Sequence, residues 1–78
     1  MTTPTLQLAL GRAIRFYREK LNMSQDTFAD QIEMHRAYYG AIERGAKNLT
    51  VRSIERLATG LGVAPAQLFS KAADLLKR

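Results

Sequence analysis

Apolar side chains recur at steps of three and four residues along almost the whole chain, and this spacing constrains the fold more than any other feature. No segment shows the strict alternation of apolar and polar residues that is expected of a half-buried strand. Short polar stretches break the pattern four times, so the sequence predicts five helices and no sheet. We expect an all-α single domain over residues 1–78, with its core at about 8–70.

The first predicted helix runs from about Thr5 to Leu21 and carries its apolar residues on one face. That face consists of Leu6, Leu10, Ala13, Ile14, Tyr17 and Leu21. Asn22 suits the left-handed conformation that commonly closes a helix. Ser24 is a favoured N-cap residue, so a second helix is expected from about Gln25 to Ile32.

The third predicted helix extends from about Arg36 to Arg44 and stops at Gly45, which can adopt a positive φ. Only three residues separate it from the second helix. Two short helices joined by such a turn form a helix-turn-helix, whose second helix enters the major groove of DNA. That groove is about 12 Å wide and admits one α-helix. The segment from about Gln25 to Arg44 is therefore a candidate DNA-reading unit.

The fourth predicted helix is capped by Thr50 and ended by Gly62, and Pro65 is placed as the first residue of a fifth. The buried face predicted for the fourth helix comprises Val51, Ile54, Leu57, Ala58 and Leu61. The fifth helix carries an apolar stripe of Leu68, Phe69, Ala72, Leu75 and Leu76. This stripe is longer than the core of one small domain requires. We therefore predict a symmetric homodimer contact formed by Leu68, Phe69, Leu75 and Leu76.

The charge balance is basic, since twelve Lys and Arg face seven Asp and Glu for a net charge of +5. Such a balance favours a polyanionic partner, either nucleic acid or an anionic membrane surface. We expect no membrane partner, because the apolar faces are committed to a core. The N-terminus lacks the basic start and long apolar run of a signal peptide, which predicts a cytoplasmic protein.

The sequence offers no chemistry for an enzyme. There is no cysteine and only one histidine, His35, so no metal site is expected. No carboxylate pair, nucleophile with a neighbouring base or glycine-rich phosphate loop is recognisable. We therefore expect no cofactor and no small-molecule ligand.

The sequence resembles the Cro/repressor-type helix-turn-helix proteins, also called the xenobiotic-response-element family. The resemblance is carried by Ile14, Arg15, Arg18, SQDTFADQI at 24–32, Arg36, IERG at 42–45 and NLTVRSIERLATGLGV at 48–63. The stretch from Tyr38 through IERGAKNLT also resembles the controller proteins of restriction-modification systems. The resemblance implies a lambda-repressor-like domain of five helices with a central helix-turn-helix.

The resemblance also implies roles for individual residues. It places Gln25, Arg44, Lys47 and Asn48 on DNA phosphates, and Arg36, Ala37 and Ala41 on base edges. It pairs Arg18 with Glu43 in a buried salt bridge between the first and third helices. Two positions depart from the family, which usually has Gly where this chain has Glu33 and Ser or Thr where it has His35.

Several of these residues also have plainer interpretations. Arg36 suits guanine, whose O6 and N7 accept a forked pair of hydrogen bonds, whereas Ala37 and Ala41 either contact thymine methyls or only favour helix. Tyr38 and His35 are predicted base contacts. The alternatives are packing or a contact to sugar and backbone for Tyr38, and a weak helix cap or a phosphate contact for His35. Arg44, Lys47 and Arg52 either grip phosphates or form a solvated face. Arg56 is interpreted as a solvated surface residue.

These patterns predict a DNA-binding transcriptional regulator, a repressor or activator that acts as a homodimer on an operator with two half-sites. Its partners are double-stranded DNA, a second copy of itself and, as a further candidate, RNA polymerase. An antitoxin or a phage repressor of the same fold is one alternative. Another is a protein-interaction module that has lost DNA binding, which Glu33 and Gly40 favour because Gly40 weakens the middle of the third helix. Gly40 equally suits close approach of that helix to DNA.

Overall fold

The computed structural model describes residues 5–77, which form five helices and no strand. The helices are α1 (Thr5–Lys20), α2 (Gln25–Gln31), α3 (Arg36–Glu43), α4 (Val51–Leu61) and α5 (Pro65–Leu76). The predicted five-helix fold is confirmed. Helices α2 and α3 each end one residue before the predicted bound, because Ile32 and Arg44 act as C-caps. No helix among the described residues is long and apolar enough to cross a membrane.

Local hydrogen bonds set the helix ends as the sequence predicts. The Ser24 side chain accepts a hydrogen bond from the backbone N–H of Thr27 at 3.0 Å, and Thr50 accepts one from Ser53 at 3.0 Å. Each bond satisfies a first-turn N–H that has no partner within the helix. Asn22 adopts the predicted left-handed conformation with φ 59°.

The core lies where α1, α3, α4 and α5 meet, with α2 packed against α3. Its largest fully buried side chains are Tyr39, Phe28, Ile14, Ile42, Leu57 and Leu68. The rings of Phe28 and Tyr39 lie 5.2 Å apart between centroids and join α2 to α3. Helix α3 is thus anchored in the core by one face, which leaves the residues around its first turn exposed.

Gly11 allows α1 to approach α3 closely. A Cβ at this position would lie 2.5 Å from the carbonyl oxygen of Ile42 and 2.6 Å from that of Glu43. Both atoms belong to the backbone and cannot turn aside as a side chain could. The bare backbone of α1 therefore determines how deeply the C-terminal end of α3 sits in the core.

Two predictions from apolar spacing are wrong. Val51 is 85% exposed, because it begins α4 at the edge of the domain where no other helix covers it. Leu68 is fully buried in the core together with Ala72, so it cannot take part in a dimer contact. Spacing along one helix identifies an apolar stripe, but the neighbouring helices decide which part of it they cover.

Candidate nucleic-acid interface

Helices α2 and α3 are joined by a turn that contains a strained residue. Glu33 has φ 55°, a left-handed conformation that glycine adopts more easily. The guanidinium of Arg56, on α4, donates from Nη2 to the carbonyl oxygens of Ile32 at 2.6 Å and Glu33 at 3.0 Å. Arg56 therefore clamps the turn and was wrongly interpreted as a plain surface residue. No sequence pattern indicates this contact, because its partners lie 24 and 23 residues away.

A buried polar network fixes α3 to α1. Arg18 donates to Glu43 from Nε at 2.6 Å and from Nη2 at 3.1 Å, with side chains that are 9% and 3% exposed. Nη1 of Arg18 donates to the carbonyl oxygen of Met23 at 2.6 Å. The Tyr39 hydroxyl donates to Glu43 Oε2 at 2.5 Å, and Gln25 Nε2 donates to Glu43 Oε1 at 2.7 Å. Among the described residues, no buried side-chain polar atom lacks a hydrogen-bond partner.

The network stabilises the ionised carboxylate of Glu43. Burial opposes its ionisation, but hydrogen bonds from Arg18, Tyr39 and Gln25 outweigh this and hold the pKa of Glu43 below its ordinary value. The hydrogen bond to Glu43 likewise raises the pKa of Arg18. Burial, followed by the hydrogen bond to Glu43, raises the pKa of the Tyr39 hydroxyl far above its ordinary value. Arg18, Tyr39 and Glu43 therefore keep the ionisation states that the hydrogen bonds require.

Gln25 lies at the junction of this network and the outer surface. Its side chain is half-buried, and one N–H of the amide is engaged by Glu43. An amide nitrogen carries two donors, so a second N–H remains for an anion. The phosphate contact predicted for Gln25 is compatible with this geometry.

The predicted base-contacting residues fall into two groups. His35, Arg36 and Ala37 are exposed at the start of α3, and Tyr38 is half-buried beside them. Ala41, however, is only 6% exposed, so the prediction that it contacts a base is wrong. Ala41 lies one turn after the exposed Ala37, toward the end of α3, where Gly40, Ile42 and Glu43 are also buried.

Four of the predicted phosphate-contacting residues follow the exposed part of α3 in the chain. Those at its end, in the following loop and in the first turn of α4 are all exposed, namely Arg44, Lys47, Asn48 and Arg52. His35 caps α3 by position without a side-chain hydrogen bond, which leaves its imidazole unengaged by the helix.

Arg36 makes a contact that sequence reasoning missed. Its Nε donates to the carboxylate of Asp26, in the first turn of α2, and both side chains are exposed, at 50% for Arg36 and 79% for Asp26. The guanidinium also lies over Gly40, one turn further along α3. Asp26 also lies where a carboxylate interacts favourably with the dipole of its own helix.

Comparison with known proteins places this geometry in a family. The sequence profile of the helix-turn-helix family matches residues 14–68. The control protein C.MunI of a Mycoplasma species is 36% identical over 66 residues, which cover 83% of this chain and 89% of the relative.

Solved structures agree with the sequence comparison. The restriction-modification controller protein C.AhdI from Aeromonas hydrophila superposes with a TM-score of 0.76 at 34% identity, covering 80% of this chain and 94% of its own. The controller protein C.Esp1396I, solved as a tetramer with its natural 35 base-pair operator, gives a TM-score of 0.83 at 27% identity, with 94% and 96% covered. The chain therefore belongs to the helix-turn-helix family of the xenobiotic-response-element type, whose members are DNA-binding transcriptional regulators.

Proposed function

We propose that the protein regulates transcription by binding, as a homodimer, an operator that contains two half-sites. A two-fold dimer presents two recognition helices to half-sites about one helical turn apart on one face of the duplex. The relative C.Esp1396I, solved as a tetramer in complex with its operator, supports the binding of operator DNA by an oligomer. The whole chain acts as one helix-turn-helix domain in the manner of a restriction-modification controller. Once bound, it occludes or recruits RNA polymerase.

The basic surface around α3 is the observation that carries the proposal. It consists of Arg36, Arg44, Lys47 and Arg52, all of which are exposed. Within residues 5–77, only Arg36 of these four has a carboxylate at ion-pair distance. Cations without internal partners attract a polyanion and release its counterions on binding. Arg44 lies near Arg36, since a Cβ at Gly40 would approach the guanidinium of each.

The residues of this surface divide into two roles. Arg36 reads guanine through its guanidinium, with His35, Ala37 and Tyr38 contacting neighbouring base edges or sugars. The phosphate contacts are made by Gln25, Arg44, Lys47, Asn48 and Arg52. Phosphate contacts set affinity and register, whereas base contacts set the sequence preference.

The dimer contact is proposed for the outer face of α5. Phe69 and Leu76 are 41% and 42% exposed and lie seven residues apart, on one side of the helix. Phe69 also lines an open groove of about 520 Å³ with Leu6 of α1 and Ile54 of α4. Leu75 packs partly against its own core and contributes at the edge of this face.

The DNA-binding roles are tested by selecting bound duplexes from a random pool with the native protein and two variants. Arg36→Ala should lose preference at one base pair in each half-site, equivalent to about 1–3 kcal/mol of discrimination. Lys47→Ala should weaken all duplexes alike and lower the slope of log K against log salt by about one unit. The proposal is wrong if the native protein enriches no sequence from the pool at low salt.

The dimer is tested by sedimentation at several protein concentrations. Phe69→Ser should shift the equilibrium toward monomer, because it removes exposed apolar area from the proposed contact. Val51→Ser is the matched control, since Val51 is also apolar and exposed but lies on α4 outside this face. Equal association of the two variants would place the contact elsewhere.

A further inference from the structure

In the free protein, the guanidinium of Arg36 pairs with the carboxylate of Asp26 and lies in the space left by the absence of a side chain at Gly40. From this geometry we infer that Asp26 and Gly40 are specificity-determining residues, which restrain the guanidinium of Arg36 so that DNA of arbitrary sequence competes for it poorly. The inference rests on the proposed function, because it concerns the selectivity of the same surface.

The negative charge of Asp26 lowers the affinity of the helix-turn-helix for DNA of any sequence. It lies in the first turn of α2, and its partner Arg36 is the first residue of α3, so the pair bridges both helices of the helix-turn-helix. A carboxylate beside exposed cations repels the phosphate backbone and lowers affinity for every duplex. Its contact with the Nε of Arg36 instead gives the guanidinium a partner when no DNA is bound.

Gly40 provides the space in which the restrained guanidinium lies. Residues four apart on a helix are neighbours on its surface, and a Cβ at Gly40 would lie 2.6 Å from Nη1 of Arg36. The same Cβ would lie 3.3 Å from Nη1 of Arg44. Because both atoms are ends of flexible side chains, alanine would fit only after Arg36 moved away. Glycine lowers the helix propensity of α3, and the room for Arg36 accounts for its presence.

The ion pair with Asp26 favours operator DNA over other DNA because guanine and phosphate differ in the hydrogen-bond acceptors that they present to Arg36. Guanine presents two acceptors, O6 and N7, which match the forked donors of a guanidinium. A phosphate reached at a non-operator site offers an ionic contact of the kind that Asp26 already supplies. Asp26 occupies only Nε of Arg36, so Nη1 and Nη2 can donate to guanine while the ion pair persists. A phosphate that approaches the same guanidinium is repelled by the charge of Asp26. The ion pair lowers non-specific binding more than it lowers operator binding.

The role of Asp26 is tested with Asp26→Asn, using Asp30→Asn as the control. Asp30 is exposed on the same helix, so its substitution changes the net charge equally without touching Arg36. Dissociation constants are measured by fluorescence anisotropy for a selected operator and a scrambled duplex at one salt concentration. Asp26→Asn should bind the scrambled duplex about threefold more tightly and reduce the operator-to-scrambled ratio about threefold. Asp30→Asn should leave that ratio unchanged, and an equal ratio in the two variants would overturn the role of Asp26.

The role of Gly40 is tested with Gly40→Ala, alone and combined with Arg36→Ala. Gly40→Ala should fold normally by circular dichroism yet lose preference at the base pair that Arg36→Ala also affects. In the Arg36→Ala background it should cause no further loss, because it acts only by displacing that side chain. Full base preference in Gly40→Ala, or an equal loss in both backgrounds, would contradict the inference.

Binding of the native protein to the selected and scrambled duplexes shows whether this inference alone or also the proposed function is wrong. If it does not distinguish the selected duplex from the scrambled one, the proposed function and the inference are both wrong. If it does, while Asp26→Asn matches Asp30→Asn and Gly40→Ala keeps its preference, only the inference is wrong.

Discussion

Glu43→Gln isolates the contribution of the buried network to stability. The substitution keeps the side-chain shape but removes the charge that pairs with Arg18, leaving a guanidinium that is only 9% exposed without its counterion. Breaking a buried ion pair in this way costs about 3–5 kcal/mol. We expect a value near the lower end, about 3 kcal/mol, because the amide oxygen can still accept two hydrogen bonds, as each carboxylate oxygen of Glu43 does.

That loss is large for a domain of this size. At about 0.05–0.15 kcal/mol per residue, a chain of this length has a free energy of unfolding of roughly 4–12 kcal/mol. Each kcal/mol lowers Tm by about 4–8 °C in a small domain, so Glu43→Gln should lower Tm by roughly 12–24 °C. Urea unfolding followed by far-ultraviolet circular dichroism, at one protein concentration, measures the difference.

Arg15 and Glu19 supply the matched control. They form the same type of ion pair at 3.2 Å, one turn apart on α1, but their side chains are 62% and 55% exposed. Glu19→Gln should cost at most about 0.5 kcal/mol, and that cost should vanish in about 1 M salt while the cost of Glu43→Gln persists. If the two substitutions destabilise the protein equally, burial is not what makes the Glu43 pair important.

Three further outcomes are expected. The folded protein holds the pKa of Glu43 below its ordinary value, so its contribution to stability is present above that ordinary value and is lost as the pH falls through the lower folded value. Glu43→Gln should flatten this acid limb of a pH titration of stability. Gly11→Ala should destabilise the protein by about 1–3 kcal/mol in urea unfolding, because its Cβ meets backbone atoms of α3, and unchanged stability would refute the close approach. Glu33→Gly should raise the unfolding free energy by about 1 kcal/mol by relieving the positive φ, and Arg56→Ala should cost less stability in that background if Arg56 holds the strained turn.

The helices and their ends were predictable because their causes are local. Ser24 and Thr50 cap the helices that follow them with bonds that span three residues. Asn22 turns the chain at the end of α1 in the left-handed conformation that its residue type tolerates. Such interactions are visible within a few positions of the sequence, so the five-helix fold and the helix-turn-helix followed from it.

The candidate site was predictable only in part. The residue types on α3 and its loop indicated a DNA surface, and the exposed side chains of Arg36 and Lys47 are compatible with it. Ala41 was misplaced because it lies one turn after the exposed Ala37 on the same side of α3, and only the packing of the helix end shows that it is buried there. Asp26 as the partner of Arg36 was missed, since the two residues lie on different helices.

By itself the sequence determined the number, type and limits of the helices, the basic character of the chain and the family to which it belongs. Tertiary structure alone decided that Leu68 is inside and Val51 outside, that Arg56 clamps the turn, and that Arg36 rests on Asp26 above Gly40. The physical reason is that hydrogen bonds within a helix depend on neighbours in the chain. Burial and ion pairing depend instead on how separate helices pack against one another.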